Sequence, residues 1–388
     1  MTLHVVSFQV PFPADYGGVI EVFYKLRALK QAGVDVILHC FCYKGRKEEK
    51  ILEQYAKKVY YYKRNTGIKS QLSLLPYIVR SRKNRELENN LLKDNFPILF
   101  EGLHTCYFLD KKLFADRKKM VRTHNIEHQY YMRLFSSADS LKSKIFYFTE
   151  ALRLKRFENK LRYADNIFAI STTDKDYFQK KFPNVQVDYL PCFFNNDILS
   201  QTTLNSRLST HDFQLSTLNT DYILYNADLS IESNVKVALF LVEKVMPLVD
   251  KQKKLVLAGR NPLKELVQKV KESLNTELIA NVEQEKMNGL INNARINLLF
   301  AFNPSGVKLK LLTTLLHSQG HCLVNETMIQ GTNLQNVCPI VNTLQDIAEK
   351  INQLYNTLPT AAEIQLRRQM ISQSGYNNNV EVIVRQIK

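Results

Sequence analysis

The feature that most constrains the fold is a regular alternation of short apolar runs and helical patterns in the second half of the chain. The apolar runs lie at 222–226, 254–258, 277–282, 296–302 and 322–325. Between them, apolar residues recur every three or four positions, as they do on one face of a helix. Strands separated by helices pair in parallel, because a tight hairpin cannot join them. The alternation predicts an α/β domain with a doubly wound parallel sheet.

The first half of the chain shows the same pattern. An apolar run at 3–10 is followed by a helical pattern that ends at Gly33 and by a second run at 34–41. A chain of 388 residues is long for one hydrophobic core, which favours two domains. Residues 193–220 are rich in Asn, Ser, Thr and Leu and have no long periodic stretch, so we place the domain boundary there.

One stretch of the second half is suited to bind a phosphate group. The apolar run 296–302 is followed by a turn at 303–306 and by a helical pattern that ends at Gly320. Such a turn directs backbone N–H groups and the positive end of the helix dipole at one point, and Lys308 and Lys310 add formal charge. The alternative is an ordinary turn between a strand and a helix, with two exposed lysines.

Positive charge is concentrated in the first half. Residues 1–190 contain 34 basic and 20 acidic side chains, whereas residues 191–388 contain 19 and 17. Basic residues are interleaved with aromatic and aliphatic ones at 60–64 and at 68–85. This combination is typical of a surface that binds an anionic membrane, where each cation adds roughly 1 kcal/mol. A generally basic, solvated surface is the alternative, and no nucleic acid partner is expected because no zinc knuckle, RNP-like motif or Arg/Gly-rich tail is present.

We expect a cytoplasmic protein. Its first ten residues have the pattern of a β-strand and lack the basic and apolar regions of a signal peptide. No stretch approaches the run of about 18 apolar residues that a spanning helix needs. A cytoplasmic protein with a basic first half is predicted to contact the inner face of the cytoplasmic membrane peripherally.

Two histidines follow the strand-like run at 119–123. His124 and His128, with Glu127, have the H-x-x-E-H spacing of an inverted zinc-protease helix. A zinc site of that kind requires both histidines on one helix and a third ligand, and a strand that ends directly before His124 argues against it. An active-site His124 and an ordinary structural pair of histidines are the other interpretations.

The sequence Asp174-Lys-Asp176 has the form of a D-x-D metal motif. Ser171 precedes Asp174 by three positions, which is the arrangement of a helix N-cap with acids that complement the helix dipole. We therefore predict no metal at this position.

Several motifs occur in an order that resembles a known family. They are the Pro-rich Gly-Gly loop 11–18, the strand-end segment 122–128, the strand 168–171 with Asp174, Asn234, the Gly-x-x-Pro turn 259–262 and the segment 305–312. In this order they resemble the GT-B glycosyltransferases of the retaining family 4 type over nearly the whole chain. Within that family, the chain resembles bacterial members described as mannosyltransferases.

The resemblance implies an α/β fold of two Rossmann-like doubly wound parallel-sheet domains that face each other across a cleft. The N-terminal domain, residues 1–195, would bind the acceptor, and residues 196–220 would form the linker. The C-terminal domain, residues 221–365, would bind the nucleotide sugar. Residues 366–388 would form a helical segment that packs back toward the N-terminal domain.

The activity implied is transfer of a hexose, with mannose favoured, from a GDP- or UDP-sugar to a glycan or lipid-linked acceptor. Such an enzyme would act in cell envelope polysaccharide biosynthesis. The reaction would retain the anomeric configuration and need no metal or other cofactor, because helix dipoles and basic side chains stabilise the departing diphosphate.

The resemblance also implies residue roles. His124 would act catalytically near the donor sugar, Asn125, Glu127 and His128 would support its loop, and Gly17 and Gly18 would line the cleft. Val282 and Glu283 would lie near the base of the donor. The expected donor-binding residues are Arg260, Val282, Glu283, Ser305, Gly306, Val307, Lys308, Lys310 and Thr313.

One departure from the family pattern concerns the donor site. Many relatives have two glutamates eight positions apart, where this chain has Ser305 and Thr313. Hydroxyl groups can still form hydrogen bonds to a sugar, but neither can act as a carboxylate. A catalytically silent relative that binds sugar or nucleotide is therefore the alternative to an enzyme.

Overall fold

A computed structural model describes residues 1–43, 45–67, 70, 73–138, 140–195, 221–302, 309–376 and 379–388. These residues form two compact units. The first contains Met1–Phe194 and the C-terminal residues 379–388, and the second contains 221–302 and 309–376.

The first unit is built on a parallel sheet that has seven strands in the part of the chain described. Its strands are β1 Thr2–Val6, β2 Asp35–Cys42, β3 Lys58–Lys63, β4 Ile98–Glu101, β5 Lys119–Arg122, β6 Asn166–Ala169 and β7 Gln186–Tyr189. Their order across the sheet is β3-β2-β1-β4-β5-β6-β7. Almost every residue of the inner strands is buried, as expected for a parallel sheet covered by helices on both faces.

Helices connect these strands as crossovers. They are α1 Gly17–Gln31, α2 Tyr77–Arg80, α3 Arg85–Leu91, α4 Glu127–Ser137, α5 Leu141–Glu158 and α6 Thr172–Lys181, and the C-terminal helix α14 Asn379–Ile387 joins the same unit. Polar caps fix several of their starts. The Ser171 side chain accepts a hydrogen bond from the backbone N–H of Asp174, at 3.0 Å, which confirms the cap predicted there.

The second unit repeats the arrangement with a smaller parallel sheet. Its described strands are β8 Tyr222–Asp228, β9 Lys254–Arg260, β10 Thr276–Ala280, β11 Ile296–Leu299 and β12 His321–Val324. Their order is β10-β9-β8-β11-β12. The helices are α7 Glu232–Phe240, α8 Lys264–Glu272, α9 Gln284–Asn293, α10 Leu309–His317, α11 Glu326–Ile329, α12 Leu344–Leu354 and α13 Ala361–Ile371.

Both sheets have a topological switch point. The strand order reverses direction between β1 and β4 in the first unit and between β8 and β11 in the second. Neighbouring crossover helices lie on opposite faces of the sheet at such a point, which leaves a crevice at the carboxyl ends of the strands. Each unit therefore offers a ligand-binding position at this edge.

The prediction of two doubly wound parallel-sheet domains is confirmed. Two elements differ from the sequence analysis. The segment 60–64, interpreted as a surface patch, lies largely in edge strand β3, where Tyr62 is 1 % exposed. A helix that the sequence analysis did not identify, α4, begins at Glu127, directly after the histidine loop.

The C-terminal segment, predicted to begin at residue 366, divides between the units. Helix α13 belongs to the second unit, and α14 packs on α1 of the first. Gly375, between them, has a φ of 89°, which favours glycine and breaks the helix. No helix in the described part of the chain is both long and apolar enough to cross a membrane.

Candidate functional site

Aromatic and imidazole rings meet at the switch point of the first sheet. The ring of Phe8, which follows β1, lies 5.4 Å from the ring of His104 and 5.5 Å from that of His124, centroid to centroid. Gly18, in the first turn of α1, packs on the same phenylalanine, since a Cβ there would lie 2.8 Å from its ring. Gly17 begins this helix. Gly18 and His124, both predicted as site residues, therefore contact one ring, and Gly17 is the neighbour of Gly18 in the chain.

His124 is held in a fixed orientation. It lies in the loop after β5 and is 6 % exposed. Its Nε2 lies 3.1 Å from Oε2 of Glu101, the last residue of β4. Its Nδ1 is buried and has no hydrogen-bond partner among the described residues. One nitrogen of the imidazole is thus fixed by the protein, and the other makes no hydrogen bond within the described residues.

Behind His124 lies a chain of four fully buried charges. Lys25 Nζ donates to Glu101 Oε1 at 2.6 Å and lies 3.1 Å from Glu21 Oε1. Arg122 Nε donates to the same Glu21 oxygen at 2.9 Å. All four side chains have an exposure of 0 %. Each charge therefore depends on its neighbours for the stabilisation that water would otherwise supply.

The two acids of this chain are held ionised. Burial alone would raise the pKa of Glu101, but the charge of Lys25 and the hydrogen bond to His124 outweigh it and lower that pKa to about 2. Burial also opposes the ionisation of Glu21, and the charges of Arg122 and Lys25 lower its pKa. An ionised carboxylate can only accept hydrogen bonds, so Nε2 of His124 carries a proton and donates a hydrogen bond to Glu101.

The residues expected to support the histidine loop take two different environments. Glu127, the first residue of α4, is 3 % exposed, and its Oε1 has no partner among the described residues. Burial raises the pKa of Glu127 to about 7, although a hydrogen bond from Asn125 opposes the rise. His128 lies with its Nδ1 3.1 Å from Oε2 of Glu158, at the end of α5. His128 is therefore tied to the neighbouring helix.

This geometry argues against the zinc interpretation. His124 precedes α4, His128 lies within it, and their rings contact Glu101 and Glu158 respectively. The two imidazoles therefore do not share one helix face. No group of three His, Cys, Asp or Glu side chains in the described part of the chain is placed to hold a metal ion.

In the second unit, two of the predicted donor residues, Arg260 and Lys310, lie on segments near the carboxyl ends of β8 and β9. Lys310, in the first turn of α10, places its Nζ 4.3 Å from the ring centroid of Tyr225 on β8. Arg260 ends β9 beside Asp228 of β8 and is exposed. Lys310 is thus in contact with one of the two strands that flank the switch point.

The other predicted donor residues are distributed as follows. Val282 is buried and packs with Tyr222 and Ile291, so its side chain belongs to the core. Glu283 is the exposed N-cap residue of α9, and Thr313 lies half-buried on α10. Ser305, Gly306, Val307 and Lys308 lie outside the described residues.

The buried charges Glu21, Lys25, Glu101 and Arg122 were not identified as site residues from the sequence. A signal for two of them was present. Glu21 and Lys25 lie four positions apart among the apolar residues of the buried face of α1, where unpaired charges are not tolerated. Glu101 and Arg122 each end an apolar strand. Only the fold shows that they are partners.

Comparison with solved structures gives full-length matches at low sequence identity. The chain matches sucrose-phosphate synthase from Thermosynechococcus elongatus with a TM-score of 0.69 and 14% identity, over 100% of this chain and 98% of the other. An α,α-trehalose-phosphate synthase (UDP-forming) from Burkholderia xenovorans, in complex with glucose-6-phosphate, matches with a TM-score of 0.63 and 12% identity. This match covers 100% of this chain and 99% of the other. With the two parallel sheets, these matches decide the fold. The chain has the GT-B fold.

Two further comparisons bear on the chain. A structure described as trehalose-6-phosphate from E. coli bound with UDP-2-fluoro glucose also matches. Its TM-score is 0.65 and its identity 11%, over 100% of this chain and 99% of the other. In sequence, the chain is 29% identical over 325 residues to an uncharacterized 44.6 kDa protein in the cps region of Klebsiella pneumoniae, which covers 79% of each chain. No protein-family model matches.

Proposed function

We propose that this protein is a retaining, metal-independent glycosyltransferase that moves a hexose from a nucleotide diphosphate sugar to a glycan or lipid-linked acceptor. Mannose is the favoured hexose by resemblance to family 4 members. The observation that carries the proposal is the environment of His124, at the ligand-binding edge of a GT-B domain. An ionised Glu101 orients its ring, and its Nδ1 has no hydrogen-bond partner among the described residues. The Klebsiella relative in a cps region is consistent with polysaccharide biosynthesis.

The proposed roles follow from the chemistry of the two edges. In the first unit, Nδ1 of His124 forms a hydrogen bond with a sugar hydroxyl and orients the sugar. In the second unit, Arg260 and Lys310, with Lys308 from the segment outside the described residues, stabilise the negative charge that develops on the departing diphosphate. No step requires a metal ion.

The experiment that tests the donor is a thermal-unfolding series with GDP, UDP, dTDP and their sugars. We expect one base to raise the unfolding temperature selectively, because a ligand at a hundredfold excess over its Kd stabilises the folded state by about 2.7 kcal/mol. An assay for transfer or hydrolysis of that nucleotide sugar then distinguishes an active enzyme, which turns it over, from a catalytically silent relative, which only binds it. If no nucleotide stabilises the protein, the proposed function is wrong.

We also propose a cytoplasmic location with peripheral binding to an anionic membrane, through helix α5. Four apolar side chains at 4-3-4 spacing share one face of this helix and form the α5 stripe: Leu141, Ile145, Phe148 and Leu152, which are 74, 57, 41 and 53 % exposed. The exposed charges of α5 are Lys142, Lys155 and Arg156, whereas its two acids are buried. An apolar face with cations beside it fits an anionic bilayer surface.

This surface differs from the one predicted from the sequence. Segments 60–64 and 68–85 contain side chains that the fold buries, among them Tyr62, Arg64 and Arg82. Edge strand β3 directs Tyr62 into the core, since alternate side chains of a strand point to opposite faces. The cations counted in the sequence are therefore only partly available to a membrane.

A single tryptophan tests the α5 stripe, because the natural chain has none. We expect the fluorescence of Ile145→Trp to shift to shorter wavelength with vesicles that contain phosphatidylglycerol, and to change little with phosphatidylcholine alone. Leu366→Trp is the matched control, since Leu366 is 55 % exposed on α13 of the second unit. A shift that depends on protein concentration without vesicles would instead identify a second copy of the chain as the occupant, and no shift would exclude membrane docking here.

A further inference from the structure

Two arginines of the first unit are buried without an acidic partner. Arg64 is 9 % exposed and Arg82 is 5 % exposed. Within the described residues, no carboxylate oxygen lies within 4.0 Å of either guanidinium, whereas Arg46, Arg117 and Arg122 each have such a partner. Buried charges in proteins are ordinarily paired, because their removal from water is costly. The absence of a partner for two neighbouring arginines therefore requires an explanation.

Arg82 is held in place by neutral groups. Its Nε donates to the backbone carbonyl oxygen of Phe8 at 2.7 Å, and its Nη1 donates to that of Ile78 at 2.6 Å. Burial, and next the charge of Arg64, lower its pKa to about 9. The guanidinium is thus fixed at the backbone of Phe8, whose ring contacts His104 and His124.

Arg64 is also positioned by neutral contacts. Its Nε donates to Ser81 Oγ at 2.9 Å. Its guanidinium carbon lies 4.3 Å from the ring centroid of Tyr43 and 5.2 Å from that of Tyr77. Contact with two aromatic rings positions the guanidinium, and a ring contact of this kind uses none of its N–H donors.

His104 completes the cluster. Its Nδ1 is buried and has no hydrogen-bond partner in the described part of the chain. Gly102, with φ of 72°, allows this ring to lie close to the backbone, since a Cβ there would be 2.7 Å from Nδ1. Burial lowers the pKa of His104, and the charges of Arg82, His124 and Arg64 lower it further. A neutral imidazole still has one N–H to donate to an anion.

An acid near the cluster compensates its charge only in part. Burial raises the pKa of the nearby Glu127 carboxyl to about 7, although the positive charge of Arg82 opposes the rise. The Glu127 carboxyl therefore holds its proton to higher pH than an ordinary glutamate does. The cluster keeps a net positive charge, which a ligand with two or more negative oxygens would balance.

We propose that Arg64, Arg82 and His104 form a binding site for a phosphate monoester or diphosphate group carried by the acceptor. Two guanidiniums present N–H pairs that match the oxygens of a phosphate, and an imidazole beside them supplies a third donor. The site lies at the switch point of the first unit, next to His124. The role of the ligand as acceptor rests on the proposed transferase function, whereas the anion site itself can be measured without a donor.

The test is calorimetric titration of the full chain with inorganic phosphate, a hexose 6-phosphate, geranyl diphosphate and the unphosphorylated hexose. We expect a phosphorylated ligand to bind at least about tenfold more tightly than the hexose. Arg64→Met keeps roughly the side-chain volume, His104→Phe keeps an aromatic ring, and both remove donors, so each is expected to weaken that binding by about tenfold to hundredfold. Tighter binding of the hexose 6-phosphate indicates a sugar phosphate acceptor, and tighter binding of geranyl diphosphate indicates a lipid-linked one.

Arg46→Met is the matched control. Arg46 also stacks on a tyrosine, Tyr16, but it is already paired with Asp15. If a general positive field attracts the ligand, this variant should lose as much affinity as Arg64→Met, and the site is overturned. Equal binding of the hexose and its phosphate overturns it as well.

Nucleotide binding, measured in parallel, separates the two proposals. Because the nucleotide is expected to bind the second unit, folding of the first unit in Arg64→Met and His104→Phe is checked separately, by urea denaturation that matches that of the natural chain. Phosphate binding without any nucleotide binding would leave the anion site intact and exclude the transferase function. Nucleotide binding without phosphate binding would exclude the anion site and leave the proposed transferase function intact.

Discussion

Replacement of His124 by alanine is expected to lower the rate of sugar transfer, kcat, by about a hundredfold to a thousandfold, while the Kd of the donor changes little. A preorganised hydrogen-bonding group that acts on the transition state contributes an effect of this order. The environments of the two ring nitrogens support the expectation. Glu101 fixes Nε2, and Nδ1 is buried with no partner among the described residues.

The measurement is kcat and donor Kd for the nucleotide sugar identified by thermal unfolding. His128→Ala is the matched control, because His128 is four positions away and its Nδ1 lies beside Glu158 on α5. We expect this control to keep kcat within a few fold if it folds. Equal losses of donor binding and turnover in His124→Ala would show that His124 binds the ground state and has no specific role in the chemical step.

Replacement of Glu21 by alanine is expected to reduce the free energy of unfolding of the first unit by about 3 to 5 kcal/mol. The variant leaves Arg122, which is 0 % exposed, without its carboxylate. It also removes one of the two acids that contact Lys25 and the acceptor of the Phe193 backbone N–H, at 2.7 Å. Since domains are stable by only about 5 to 15 kcal/mol, this is a large share of the total.

Urea denaturation followed by circular dichroism measures the loss, and hydrogen exchange assigns it to the first unit. Glu21→Gln keeps the shape and an acceptor oxygen, so it isolates the contribution of charge. Glu53→Ala, an exposed acid of the same unit, is expected to change stability by no more than about 0.5 kcal/mol. A loss for Glu21→Ala as small as that for Glu53→Ala would contradict the importance of the buried chain.

The same charges give the protein a defined acid sensitivity. The pKa of Glu101 is about 2 in the folded state and about 4.3 in an unfolded chain. The stabilisation from its ionised form, about 3 kcal/mol, is therefore complete above pH of about 4.3 and is lost as the pH falls toward 2. Glu21, whose pKa is also lowered, adds to this slope. The Glu21→Ala variant should show a shallower loss between these pH values.

Errors in the sequence analysis have specific causes. Strand β3 contains three consecutive tyrosines between lysines, so its apolar content does not alternate as in a half-buried strand, although tyrosine favours strands. Helix α4 has no side-chain cap and only one buried residue, Glu127, because it packs on α5 through partly exposed aromatic rings such as Tyr131 and Phe135. Neither element has the periodic apolar pattern that identifies buried ones.

The two parallel-sheet domains and the position of His124 at the end of a strand follow from the amino-acid sequence, because hydrophobic periodicity and strand ends are local properties of the chain. Only the tertiary structure decided what surrounds that histidine. Glu21 and Arg122 are 101 positions apart, and Lys25 and Glu101 are 76 apart. Parallel strands bring their carboxyl ends to one edge of the sheet regardless of separation in sequence. The partners of a buried charge are therefore set by strand order, which no local pattern records.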